Sequence, residues 1–368
     1  MRDTVTLFLC GDVMTGRGID QILPHPGNPA LHEAYVRSAE TYVALAEKAN
    51  GPVPRPVNFA YIWGDALAEL ERVAPDLRII NLETALTTSD EWWMGKEVHY
   101  RMHPANARCL TTAGIDCCAL ANNHLLDWGY KGLDETLATL QQAGIRHAGA
   151  GRNRDDAEAP AVLEVAGKGR VLFFSCGSVS SGIPDEWQAA ESRGVYLLQE
   201  LSEREAERIA DRVAAAKRSG DIVVVSIHWG GNWGYGIPKR ERQFAHRLID
   251  AAGVDLVHGH SSHHVKGIEV YRERLILYGC GDFLNDYEGI SGQEEFRGDL
   301  GLMYFPSLEP ATGRLVRLTM MPTRLRLLRV NRASAVEARW LKEALNREGE
   351  SLGTGVTQDD ERSLSLQW

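Results

Sequence analysis

Six short polar segments, each placed where an aliphatic or β-branched run ends, constrain this chain more than any other feature. They are GDVMTGR (11–17), NLET (81–84), ANNHLLD (121–127), SIHWG (226–230), GHSSHH (259–264) and YGCGDF (278–283). An open α/β sheet delivers side chains from distant sequence positions to one rim in this way, and ligands bind along that rim. Together the segments supply acids, carboxamides and a group of histidines, an oxygen-and-nitrogen donor set suited to hard or borderline divalent metals.

The runs between these segments fill in the architecture. Strands are expected at 4–10, 77–82, 115–120, 161–165, 170–175, 221–229, 254–258, 266–271 and 274–279. Helices are expected at 31–49, 63–73, 105–113, 130–143, 201–218, 239–252 and 333–347. The Pro-rich stretch GPVPRPVN (50–58) reads as a lid or linker. Strands alternate with helices through residue 260 and dominate afterwards. That order predicts one α/β domain over 1–330, with its strand-rich C-terminal part packed on it as a second sheet layer. Residues 331–368 read as a helix and a loosely held polar tail.

Each polar segment then offers particular chemistry. Asp12 follows Gly11 at a strand end, where its carboxylate can leave the sheet. Glu83 follows a buried-looking strand, and a carboxylate there is expected to be paired or ligating. Asn122, Asn123 and His124 combine neutral oxygen donors with a candidate general acid or base, and Asp127 is placed to orient His124. His228 ends the strongest strand ahead of Trp229-Gly230-Gly231. Of the histidines at 258–264, His260 and His263 are the expected ligands, His258 a core histidine, and His264 a substrate contact. Asp282, after Gly281, is expected to hold a ligand imidazole, with Asn122 as a second supporting group. Arg17 and Arg101 could clamp substrate carboxylates, and Trp92 and Trp93 could stack on a substrate side chain.

Bulk properties exclude several classes. With Lys+Arg 40 against Asp+Glu 50 the net charge is −10, which argues against a nucleic-acid phosphate backbone as partner. No run approaches the roughly 18–20 apolar residues of a membrane span, and VTLFLC is too short for a signal-peptide core. No membrane anchor and a cytoplasmic location are the expectations. Six cysteines without CxxC spacing read as buried reduced thiols. GxSxG, Walker and HExxH patterns are absent.

In order and spacing, GDVMTGR, NLET, ANNH, HWG and GHSSHH followed by KGIEVY…LILYGCGDF resemble the CapA, or poly-γ-glutamate synthesis, family over roughly residues 5 to 305. That family resembles the calcineurin-like metallophosphoesterases. The resemblance implies an α/β fold built as a two-sheet β-sandwich flanked by helices, with a metal centre on loops at one edge. It implies Asp12, Glu83, Asn123, His228, His260 and His263 as ligands of one or two divalent ions (Mn, Fe, Zn, or Mg/Ca), and His124 as catalytic acid/base. Two positions depart from the pattern. Met14 stands where the relatives carry a histidine, and Glu83 follows Leu82 where they carry an aspartate after glycine, so one metal position is expected to be depleted.

Three functions follow. The first is metal-dependent hydrolysis or transfer at a γ-glutamyl, peptide-like amide or phosphoester bond of a small-molecule or peptide substrate, using a metal-activated water. The second is a metal-assisted peptide epimerase. The third, motivated by Met14, is a non-catalytic accessory role in polymer synthesis.

Overall fold

The computed structural model describes residues 4–359 and 363–368. Its strands build two large sheets. In the first, Val5–Phe8 runs parallel to Leu77–Leu82 on one side and antiparallel to Leu300–Leu308 on the other. Cys117–Ala119 and Arg146–Ala148 extend this sheet in parallel, while Leu315–Leu325 pairs antiparallel with Leu300–Leu308. The second sheet sets Gly169–Ser178, Ile222–His228, Leu256–His260 and Arg274–Leu277 side by side in parallel. Ala161–Val165 and Ile268–Tyr271 join it as antiparallel strands.

Period-two alternation explains how these sheets pack. Val5, Leu7 and Leu9 meet Val224, Leu256, Leu277 and Met320 in a core lying between the two sheets. Their neighbours Phe8 and Cys10 face the other way, towards Ile62, Leu70, Leu110 and Leu133. In the second sheet Val223, Val225 and Ile227 turn outward onto helices Glu203–Ala216 and Lys239–Ala252. Each fully buried aliphatic side chain contributes about 1.5–3 kcal/mol, and this fixes the register. A one-residue slip of Ile222–His228 would send three valine and isoleucine side chains to the wrong core and bury Ser226 and His228 under helices.

Four expectations need correction. The strands after residue 299 do not form the second layer: they continue the first sheet beside Val5–Phe8, and the second layer comes from residues 161–277. The polar tail is not loosely held among the described residues. Gly355–Gln358 pairs with Leu364–Gln367, which pairs with Leu315–Leu325, and Val356, Leu364 and Leu366 enter the inter-sheet core. The helix expected from 31 starts at Glu40, because Leu31 closes a turn onto the Arg37 carbonyl. The 50–58 stretch is no detached lid, since Val53 and Val57 are buried and the Val57 N–H donates to the Ile22 carbonyl. All six cysteines are free and buried. Among the described residues, no helix is long and apolar enough to cross a membrane.

Candidate metal centre

The polar segments meet at the shared end of the two sheets. Parallel pairing aligns Ser226 with His258 and His228 with His260. All four sit on the same face of the second sheet as Val224 and Leu256, turned towards the first. Opposite them, Asp12 aligns with both Asn81 and Asp282. A Cβ on Gly11 would stand 1.6 Å from the Gly281 carbonyl oxygen, so only glycine lets the two Gly-Asp segments approach this closely.

The histidines form one continuous row. His258 Nε2 lies 2.8 Å from the Cys10 carbonyl oxygen, and His258 Nδ1 3.1 Å from Ser226 Oγ. Ser226 Oγ lies 2.8 Å from His260 Nε2, and His260 Nδ1 2.7 Å from His228 Nδ1. His228 Nε2 closes the row 3.2 Å from Asn123 Oδ1. These are five contacts ending on two oxygens that only accept, yet three neutral imidazoles and one hydroxyl bring four protons. One contact is therefore short of a proton. Charging a ring is opposed by burial and by neighbouring imidazoles, which hold His228 and His260 well below the ordinary value, while burial holds His258 at about 4.

One tautomer set places the shortfall between the two Nδ1 atoms, 2.7 Å apart. If a cation sits there, His228 Nε2–H donates to Asn123 and His260 Nε2–H to Ser226. Ser226 then donates to His258 Nδ1, and His258 Nε2–H to Cys10, so every proton has one acceptor. Rotating the Asn123 carboxamide would also close the row, but it leaves the adjacent acids uncompensated.

Those acids are Asp12, Glu83 and Asp282, which are 0%, 1% and 5% exposed. Asn81 Nδ2 donates to Asp12 at 2.8 Å and to Glu83 at 3.0 Å, and the Ser261 N–H donates to Asp12 at 3.2 Å. Ser261 reaches it with φ at 99°, a strained value for a residue with a side chain. Burial, then the Asp282 charge, pushes the Asp12 carboxyl up to about 7. Burial and Asp12 push Glu83 well up. Asp282 receives Asn285 Nδ2–H at 2.7 Å and holds His263 Nδ1 at 2.9 Å. Burial would lower His263, but the Asp282 charge, its hydrogen bond and the Asp12 charge together outweigh it and raise the imidazole.

Among the described residues, two groups have donor atoms that all lie within 4.8 Å of one another: Asp12, His228 and His260, and Asp12, His263 and Asp282. Asp12 is common to both. The mixture of carboxylate oxygen and imidazole nitrogen suits a borderline or hard divalent ion. Asp282, expected only to steady an imidazole, is itself a candidate ligand. Glu83 falls outside both groups, and Asn123 is turned to His228 Nε2, so these two expected ligands stand one step back. Met14 is buried against the Tyr287 hydroxyl, its sulfur 3.7 Å away.

Beside this centre, His124 Nδ1 lies 2.6 Å from Asp127 and His124 Nε2 3.9 Å from Glu83. Asn122 supports the turn, its Nδ2 donating to Asn81 and to the Leu82 carbonyl while its Oδ1 accepts the His124 N–H. Lys96 was not legible in the sequence. Its ammonium binds Asp127 at 2.5 Å, touches the Asn123 carbonyl and lies 3.4 Å from His124 Nδ1. Burial, and then Lys96, lowers His124 to about 4. Burial would raise Asp127, but Lys96 and His124 outweigh it and hold it low. The result is a neutral imidazole that presents Nε2 to the centre as an acceptor.

The expected substrate contacts are corrected. Arg17 is 3% exposed, and its charge is met by Asp286 at 2.5 Å and Glu33 at 3.0 Å. Arg101 donates to the Ser89 and Asn28 carbonyls and to Asp90, and lies over the Trp128 ring. Trp92 stacks on His32, and Trp93 packs edge-on against Tyr130 and Trp187. His264 stacks on Phe296 and accepts the Gly234 N–H. These are packing roles. The open space next to the centre is a cleft of about 620 Å³ with His263 and Asn285 in its wall, rimmed by Tyr35, Trp233, Tyr287 and Ile290.

A two-layer α/β protein with an Asp/His centre across the end of its sheets is the class these observations define. The chain belongs to the family of bacterial capsule synthesis protein PGA_cap, whose pattern matches residues 6–287. It is 48% identical over 366 residues to a Mycobacterium tuberculosis protein named "Probable polyglutamine synthesis accessory protein", covering 99% of this chain and 96% of that one. It is 25% identical over 287 residues to the capsule biosynthesis protein CapA of Bacillus anthracis, covering 77% of this chain and 60% of that one. The PGA biosynthesis protein CapA of Bacillus subtilis matches at 25% over 287 residues, 77% of this chain and 64% of its own length.

Proposed function

We propose that this protein is a metal-dependent enzyme of the CapA type, acting on a γ-glutamyl or peptide-like amide, or a phosphoester, in capsule or cell-envelope polymer metabolism. The observation that supports it is the proton-deficient histidine row beside three buried carboxylates. With Asn123 accepting from His228 the row is one proton short and the carboxylates beside it lack a matching cation, and one or two divalent ions would complete both. The paired sheets with helices on both outer faces suit a calcineurin-like metallophosphoesterase architecture, and the family membership supports the biological setting.

Asp12, His228 and His260 would hold one ion, and Asp12, His263 and Asp282 a second. A bound divalent ion supplies Lewis acidity and lowers the pKa of water towards neutrality. The chain's own residues do the rest. Asp127 fixes the His124 tautomer with the proton on Nδ1, so Nε2 takes a proton from the attacking group and returns it to the leaving group. Lys96 holds Asp127 and the Asn123 carbonyl, keeping that turn closed. Tyr100 packs its ring edge-on to His124 at 4.6 Å and excludes water from its inner side.

A second reading rests on two dyads, His124–Asp127 and His263–Asp282. Two such pairs at one site could exchange an α-proton from opposite faces, as a peptide epimerase requires. The deciding experiment measures metal content by mass spectrometry on protein purified without chelator, with a panel of γ-glutamyl amides, peptides and phosphoesters assayed in deuterated water. Bound Mn, Fe or Zn that disappears in His260→Ala, with cleavage lost in parallel, supports the hydrolase. Deuterium at an α-carbon without cleavage supports the epimerase. A metal-free wild type with no turnover overturns both and leaves the accessory role.

A further inference from the structure

Tyr287 joins the surroundings of the two histidine dyads. Its ring stands edge-on to His263 at 5.4 Å, and its hydroxyl lies 3.1 Å from that of Tyr100. Tyr100 in turn stands edge-on to His124 at 4.6 Å. Both phenols are anchored at the backbone, the Tyr100 N–H donating to Asp127 at 2.6 Å and the Tyr287 N–H to Asn285 Oδ1 at 3.0 Å. Asn285 also donates to Asp282 at 2.7 Å, so one side chain ties Tyr287 to a candidate ligand.

The Tyr100 hydroxyl donates to the Tyr287 oxygen, which leaves the proton of Tyr287 itself to be placed. Its one acceptor among the described residues is the Met14 sulfur, 3.7 Å away. A thioether accepts weakly, and a phenol keeps its proton at neutral pH. Accepting from Tyr100 polarises the Tyr287 O–H and strengthens it as a donor. Met14 is fixed in place: it is 0% exposed, and its N–H donates to the Leu284 carbonyl at 2.8 Å. The hydroxyl therefore carries an under-used proton beside the centre, in the cleft wall that Tyr287 shares with His263.

The cations nearby are already committed. Lys96 binds Asp127 and the Asn123 carbonyl, and Arg17 is matched by Asp286 and Glu33. Cleavage of an amide or a phosphoester gathers negative charge on a substrate oxygen, and α-proton exchange does so as well. A neutral donor fixed in advance stabilises that charge. We propose that the Tyr287 hydroxyl donates to an anionic oxygen of the substrate at the candidate centre, and that Met14 keeps this proton available by competing weakly for it. The inference rests on the metal-dependent reading given above and adds the group that holds the substrate oxygen.

Isothermal titration of the manganese-treated full chain with inorganic phosphate, a tetrahedral oxyanion, tests this, with metal content measured on each protein. Tyr287→Phe is expected to retain its metal and to bind phosphate about 10–100-fold more weakly, the loss of one hydrogen bond to a charged group. Two substitutions at Met14 separate this from a structural role. Met14→Leu removes the last competing acceptor and should tighten phosphate binding up to about twofold, whereas Met14→Gln supplies a strong acceptor and should weaken it about tenfold. Phosphate binding by Tyr287→Phe equal to that of the wild type, or equal effects of the two Met14 substitutions, overturns the proposal. So does a wild type that binds no phosphate, or loss of metal from Tyr287→Phe, which would assign the hydroxyl to the centre instead of the substrate. Phosphate binding that depends on Tyr287 in a protein that takes up no metal would sink the metal-dependent reading alone.

Discussion

Two buried polar clusters lie within a few residues of each other in sequence and contrast in every physical respect. Around Arg17, each hydrogen-bonding group has its complement. The guanidinium donates to Asp286, Glu33 and the Tyr42 hydroxyl, Tyr42 donates to Glu33, and the Gly18 N–H donates to Asp286. The rings of Tyr42 and Tyr100 cover its faces at 3.7 and 4.3 Å. Around Asp12, three carboxylates share few donors and the histidine row is one proton short. A satisfied network stabilises a fold. A network left incomplete by the protein's own groups is one that a ligand can complete, so on the proposed reading incompleteness is the feature that points to the site.

The largest test of that contrast is Arg17→Met. It leaves Asp286 and Glu33 buried without a cation, and about 3–5 kcal/mol of stability should disappear in denaturant unfolding. A loss below 1 kcal/mol would show that the cluster is not the structural anchor described. Next comes Ser226→Ala, which cuts the histidine row between His258 and His260 and removes the hydroxyl that supports His260 while leaving every candidate ligand in place. Metal affinity should fall about 10–100-fold, as it does when a ligand's supporting hydrogen bond is removed, with unfolding in the metal-free state little changed.

Acidity gives a third test. Asp12 must lose its proton to bind a cation, and its carboxyl sits at about 7. Metal affinity should therefore rise up to tenfold per pH unit below 7 and flatten above it, read by competition with a chromogenic chelator. The last test concerns the metal-free protein. A raised carboxyl binds more protons folded than unfolded, so its contribution is complete below the ordinary value of 3.8 and is lost as pH rises through about 7. Asp12→Asn should remove that decline and make the metal-free protein more stable at pH 8 than the wild type. The same substitution destroys metal binding, which is the opposite of what Arg17→Met does.

The strand-end segments were legible because hydrophobic runs of fixed length stop at them, and most strand and helix positions follow from that pattern. Within the site, Asp12, His228, His260 and His263 were readable from residue type and position. Alternation also carried a signal that a closer reading would use. Ser226 and His228, and His258 and His260, are each two apart, so both pairs share one face of adjacent strands, and His258 belongs to the network as well as to the core. Lys96 was illegible because it lies in a loop without periodicity. The roles of Arg17 and Arg101 depend on Asp286, Glu33 and Asn28, which are distant in sequence and which no spacing rule connects to them. The layer assignment failed for a related reason, since nothing local shows that Leu300–Leu308 returns to pair with Val5–Phe8.

That return has a consequence in time. Val5 finds Leu308 and Leu9 finds Tyr304 only after most of the chain has been synthesised, and contacts so remote in sequence form slowly. Until then the strand leading to Asp12 lacks one neighbour. The candidate ligands run from Asp12 to Asp282, so on the proposed reading a truncated chain would offer a cation isolated side chains in place of a site.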